Sequence, residues 1–161
     1  MADGMPLDRP PVGRLDGARH LFPIRIYYED TDAGGIVYHA AYLKFAERAR
    51  TEMMRLTGMG HGDLLARHGV RLAVHRCEIE YHRPARLDDS LTVASRIVAV
   101  SGATVTIDQQ VGRTAETDAP EHEFLNLVSL TLRLVTLDRQ LRPTRLPSAL
   151  RAVVTQYLRP S

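Results

Sequence analysis

The stretch Tyr27-Tyr28-Glu29-Asp30-Thr31-Asp32-Ala33-Gly34-Gly35-Ile36-Val37-Tyr38-His39 joins two segments of different period. Before it, Phe22, Ile24, Ile26 and Tyr28 alternate, which predicts a strand over Phe22–Tyr28. After it, Tyr42, Phe45, Ala46, Ala49, Met53 and Leu56 recur at three- and four-residue steps, with Glu47, Arg48, Arg50, Glu52 and Arg55 between them. That stripe predicts a helix over His39–Leu56, stopped before Gly58. The junction holds three acids and two glycines. A carboxylate on a glycine-bearing turn that runs into a helix start places charge beside unpaired backbone N–H groups, which makes this junction an active-site candidate.

Working outward, residues 1–20 are rich in Asp, Gly, Pro and Arg and read as a disordered leader, with a single domain over 21–161. A short helical turn is expected from His61 to His68, closed by Gly69. Strand patterns follow over Val70–His82, Leu91–Val100 and Thr104–Val111, the last two flanking Ser101-Gly102 as a hairpin. A polar loop, Gly112–Glu121, precedes an apolar run, Phe124–Leu137, that reads as a central strand covered on both faces. Pro147–Leu158 reads as a closing helix. One long helix and about five antiparallel strands give an α+β fold with the helix lying across the sheet. A single helix covers only one face, so a homo-oligomer is expected.

Composition excludes several classes. The chain is 161 residues, 44% apolar and 25% charged, as an ordinary globular domain is. Net charge is only +2 and no basic run is interleaved with aromatics, which argues against nucleic acid. No signal-peptide pattern and no apolar stretch long enough for a membrane span occur, so the reading is cytoplasmic without membrane insertion. Cys77 is the only cysteine, expected as a small buried thiol in a strand. His61, His68, His75 and His82 are seven apart, but an odd spacing within one strand puts His75 and His82 on opposite faces, and no metal site is expected. Dinucleotide, P-loop and nucleophile-elbow motifs are absent.

Asp32 is a candidate catalytic carboxylate, able to act as a general base or to attack an acyl carbon, and its residue type suits equally a turn acid that bonds its own backbone. Asp30 reads as a local turn residue. The backbone N–H at His39 could polarise a carbonyl oxygen. Glu47, on the helix, is a reserve catalytic acid.

The opening stretch, followed by Ala40-Ala41-Tyr42 and Glu47-Arg48-Ala49-Arg50-Thr51-Glu52, resembles the Tol–Pal-associated acyl-CoA thioesterases of the 4-hydroxybenzoyl-CoA thioesterase family. A second segment, Tyr81-His82-Arg83-Pro84-Ala85-Arg86-Leu87-Asp88-Asp89, is similar to that family's second strand and turn. The resemblance implies a hotdog fold, a long helix wrapped by an antiparallel sheet, in dimers or homotetramers. It implies hydrolysis of acyl-CoA with Asp32 as the catalytic carboxylate and the His39 N–H on the thioester carbonyl. Gly35, Ile36, Tyr38 and Tyr42 would contact substrate, and Arg76 and Arg83 the CoA phosphates. No cofactor is implied, CoA being part of the substrate. The alternatives are thioesters of acyl carrier protein, or a non-catalytic acyl-CoA-binding or scaffold role in the cell-envelope system.

Overall fold

The apolar stripe on the long helix meets a sheet whose facing rows are apolar too. In the computed structural model, which describes residues 10–114 and 124–158, six strands form one antiparallel sheet. They are β1 (Arg14–Asp16), β2 (Arg19–Arg25), β3 (Arg71–Tyr81), β4 (Ser90–Val100), β5 (Thr104–Thr114) and β6 (Phe124–Leu137), in the spatial order β1-β2-β4-β5-β6-β3. Three helices accompany them: α1 (Ala41–Leu56), α2 (His61–His68) and α3 (Ser148–Gln156).

Register explains the core. Phe22, Val93, Val111 and Val128 lie side by side across β2, β4, β5 and β6, and all are buried. α1 lays Tyr42, Phe45, Ala46, Ala49 and Met53 against this face. Ala46 and Ala49 have no accessible surface, and their small side chains let the helix axis come close to the sheet. Burying Phe45 or Met53 contributes about 1.5–3 kcal/mol each. A second cluster, where Leu64 of α2 and Leu150 and Val154 of α3 join Met53, Ile97, Val105 and Leu134, closes the far end. This is the hotdog fold, with one more strand than the expected five.

The extra strand comes from the expected leader. Arg14–Asp16 pairs with Arg19–Leu21 around Gly17, whose φ of +60° suits the tight turn, and Asp16 forms an ion pair with Arg19. Low apolar content there reflects an exposed edge strand, not absence of structure; residues 1–9 lie outside the described set. Three further expectations change. Cys77 is exposed because β3 is the last strand of the sheet and α1 covers it only in part. A register shift between Val74 and Arg76 puts His75 at a bulge, so strict alternation does not hold there; among the described residues no cluster of His, Cys, Asp or Glu could hold a metal. β6 is central, but only its helix-facing residues are buried along most of its length, with Thr131 and Arg133 exposed on the other face.

One polar chain interrupts the apolar interface. Arg50 is 6% exposed, donates to Gln109 Oε1 at 2.7 Å and pairs with Glu47. Gln109 in turn donates to the Ala46 carbonyl at 3.0 Å and the Ser95 hydroxyl at 2.8 Å. Gln109→Leu removes these bonds while Arg50 stays charged, so it is expected to cost about 2–4 kcal/mol. Urea unfolding reads this. Arg50→Met combined with Gln109→Leu should cost less than the sum of the two single changes.

Candidate active site

Local bonding holds the junction in one shape. Past β2, a single 3-10 turn at Tyr28–Asp30 reverses the chain. Asp30 is buried, and its carboxylate accepts the Tyr27 N–H at 2.9 Å while its carbonyl accepts the Tyr38 N–H at 2.8 Å. Asp30 is thus a structural clasp, as its turn-residue reading expected. The strand pattern that ran to Tyr28 ends at Arg25, because Ile26 leaves the ladder to bond with the Asp88–Asp89 backbone.

Asp32 sits at the tip of the next turn. Its N–H donates to the Ile36 carbonyl at 2.9 Å and its carbonyl accepts the Gly35 N–H at 3.0 Å. One carboxylate oxygen, Oδ1, accepts the Gly34 N–H at 2.8 Å; the other has no partner among the described residues, and the side chain is exposed. Glycine eases the turn at both positions. A Cβ at Gly34 would lie 3.0 Å from that Oδ1, and Gly35 has φ of +76°, in the left-handed region.

The helix start then follows. α1 begins at Ala41, not His39, because the Ala41 N–H closes a turn onto the Tyr38 carbonyl at 2.9 Å. Neither the His39 nor the Ala40 N–H has an acceptor among the described residues. These free donors lie at the positive end of a sixteen-residue helix. The His39 ring stacks at a tilt on Tyr38, with centroids 4.5 Å apart.

The second segment forms the opposite wall. Val37 N–H donates to the Ala85 carbonyl at 2.9 Å, and Ala85 N–H donates to the Tyr42 hydroxyl at 3.2 Å. Tyr81 donates its hydroxyl hydrogen to the His39 carbonyl at 2.9 Å. Burial pushes the Tyr42 and Tyr81 phenols above their ordinary pKa, so both are neutral at physiological pH. Between the walls lies an open cleft of about 450 Å³, lined by Asp32, Ile36, Val37, His39, Tyr42, Tyr81, His82, Arg83 and Pro84.

The cleft gathers a free carboxylate oxygen, a helix start and one arginine. Such a set can take a proton from water or attack a carbonyl carbon while an oxyanion develops at the amides. Of the residues expected from sequence, Asp32, Ile36, His39, Tyr42 and Arg83 line it; Gly35 shapes the turn and Tyr38 flanks His39. Glu47 lies elsewhere, nearly two turns into α1, bound by Arg50 and by the Thr51 hydroxyl at 3.3 Å. Arg76 is outside the cleft and paired with Glu78. Three other arginines, Arg25, Arg48 and Arg113, share a separate open groove of about 1070 Å³ beside β2. Tyr81, His82 and Pro84 had no role assigned from sequence, although all lie within the second matched segment.

Known proteins resemble this chain over the same region. A family model for the thioesterase-like superfamily matches residues 27–154. The acyl-CoA thioester hydrolase YbgC of Escherichia coli O157:H7 is 43% identical over 104 residues, 65% of this chain and 77% of that protein. The acyl-CoA thioesterase YbgC of Haemophilus influenzae is 38% identical over 132 residues, 81% and 90% of the two chains. Among solved structures, a probable thioesterase from Bartonella henselae superposes with a TM-score of 0.69 at 34% identity, covering 80% of this chain and 99% of that one. With the clasp, the turn, the helix start and the opposing wall all inside the matched region, the chain belongs to the thioesterase-like superfamily and is an enzyme of that class.

Proposed function

We propose that the protein hydrolyses acyl-CoA thioesters to the free acid and CoA, with Asp32 as the reacting carboxylate and the helix-start amide at His39 polarising the thioester carbonyl. One observation carries this reading: the free oxygen of Asp32 and the unpaired N–H of His39 belong to residues lining the same cleft. The acyl-CoA activity named for the relatives of known function supports the choice of thioester.

Two balanced routes use this geometry. In one, Asp32 takes a proton from water as the hydroxide oxygen bonds to the carbonyl carbon. The tetrahedral oxyanion rests on the amides, the C–S bond breaks, and the CoA thiolate leaves and is protonated. In the other, Asp32 bonds to the carbonyl carbon directly, the thiolate leaves, and water cleaves the resulting anhydride to regenerate the carboxylate. A single turnover in ¹⁸O-labelled water, read together with rapid-quench trapping of an acyl–Asp32 adduct, separates them. Label in Asp32 and none in the first acid means direct attack with water adding at the Asp32 carboxyl carbon. Acid labelled at once means direct attack, with water adding at the acyl carbon, where the adduct is trapped, and the water route where it is not. Arg83 is proposed to meet a phosphate of CoA at the cleft mouth, being exposed and lining it.

Quaternary structure belongs to the same proposal. β3 pairs with β6 on one side only, and its other edge is open among the described residues, with Val74 and Tyr81 exposed along it. An open eleven-residue edge beside the cleft fits pairing with a second copy, in a dimer or tetramer. A monomer at micromolar concentration in analytical ultracentrifugation would overturn this. Among the described residues no helix is long and apolar enough to cross a membrane. Soluble preparation from the cytoplasmic fraction is the expected behaviour.

Asp32→Asn should lower kcat/KM on acyl-CoA at least ~100-fold, equivalent to ~2.7 kcal/mol of transition-state stabilisation. Free-thiol release from short, long and aromatic acyl-CoAs reads it. Equal activity in both proteins removes Asp32 from the chemistry. Turnover of carrier-protein thioesters alone would change the substrate, and no turnover at all would favour a binding or scaffold role.

A further inference from the structure

We propose that Tyr81 is a positioning residue that holds the His39–Ala40 peptide so that the Ala40 N–H stands beside that of His39 as a second donor to the substrate carbonyl. The inference rests on the reading given under Proposed function.

Two consecutive peptide planes matter here. The first contains the Tyr38 carbonyl and the His39 N–H; its carbonyl accepts the Ala41 N–H at 2.9 Å. The second contains the His39 carbonyl and the Ala40 N–H; its carbonyl accepts the Tyr81 hydroxyl at 2.9 Å. In a trans peptide the C=O and N–H point in opposite directions. Fixing each carbonyl therefore fixes the direction of the free N–H across from it. The helix's own hydrogen bonding secures the first plane. The second is secured from outside the helix, by a side chain on β3 forty-two residues away. A bond accepted at the carbonyl also strengthens the N–H of that peptide as a donor.

Tyr81 is built into its place. Its ring packs edge-on against Tyr42 at 5.8 Å and His39 at 6.4 Å between centroids. Tyr42 is itself only 3% exposed and accepts the Ala85 N–H. The phenol ring is thus braced by a buried neighbour while its hydroxyl reaches the helix start. Because burial pushes its pKa above that of an ordinary phenol, the hydroxyl keeps its proton and remains a donor through the neutral range.

Tyr81→Phe tests this, since it keeps the ring and removes only the donor. The expected result is a kcat about tenfold lower, a KM for acyl-CoA within twofold of the parent, and faster amide hydrogen exchange at Ala40. A change in KM with kcat intact would overturn the proposal, as it would mean a ground-state contact with substrate. Unchanged kcat and KM would overturn it too. Asp32→Asn run alongside separates the two readings. Loss of activity in that variant with none in Tyr81→Phe removes the positioning role and leaves the hydrolase reading standing. Melting temperature and folded fraction are measured for the parent and Tyr81→Phe; a fall in activity that disappears when kcat is referred to folded protein would also overturn the proposal.

Discussion

Ala85 holds the two halves of the site together. Its carbonyl takes the N–H of Val37 and its N–H reaches the hydroxyl of Tyr42, so one buried residue bonds both to the turn that carries Asp32 and to the first turn of the helix. The partners are far apart in sequence, and closing so long a loop carries an entropic cost that the packed interface offsets. With this link made, Ile26 is drawn to the Asp88–Asp89 backbone, and the turn between Thr31 and Val37 is closed by its own bridge. The cleft is the space left between two walls that this tie brings into register.

Polar groups at the helix–sheet interface are handled differently from those in the cleft. Arg50, Gln109, Ser95 and the Ala46 carbonyl satisfy one another, with Glu47 neutralising the guanidinium charge. A buried charge in such a network adds little to stability relative to an apolar core, but it is costly to break. Its members fix the helix at one height over β4 and β5, because any slide would separate several bonds together. The height of α1 sets where its first amides stand, so this interior network bears on the site from a distance. Glu47 reads from sequence as a spare acid, since a charge two turns into an amphipathic helix gives no sign of a buried arginine three residues on.

What sequence reveals divides along the same line. The clasp, the turn and α1 are encoded by local pattern: a period change, two glycines, and an acid at a turn. Local pattern marks Asp30 and Asp32 alike as turn acids; the structure separates them, burying Asp30 against the Tyr27 N–H and leaving Asp32 exposed. The exposure of Cys77 could not be read, because β3 has a strand pattern whether it lies mid-sheet or at an edge. Likewise the β1 hairpin carries few apolar residues, and its order depends on pairing with β2. Arg76 and Arg83 look equivalent along the chain. The structure separates them because Arg83 follows the strand into the cleft while Arg76 sits mid-strand beside Glu78.

A similar separation applies to Tyr81, and it shows why the cleft lies at an edge. A phenol that must reach a helix-start carbonyl needs a strand passing beside that helix end, with room for the ring to stand against α1. An interior strand is flanked on both sides, and its helix-facing residues are packed under α1, as Val93 and Val111 are. The last strand leaves Tyr81 47% exposed while its hydroxyl bonds the His39 carbonyl. The same incomplete coverage that exposes Cys77 gives the cleft its mouth.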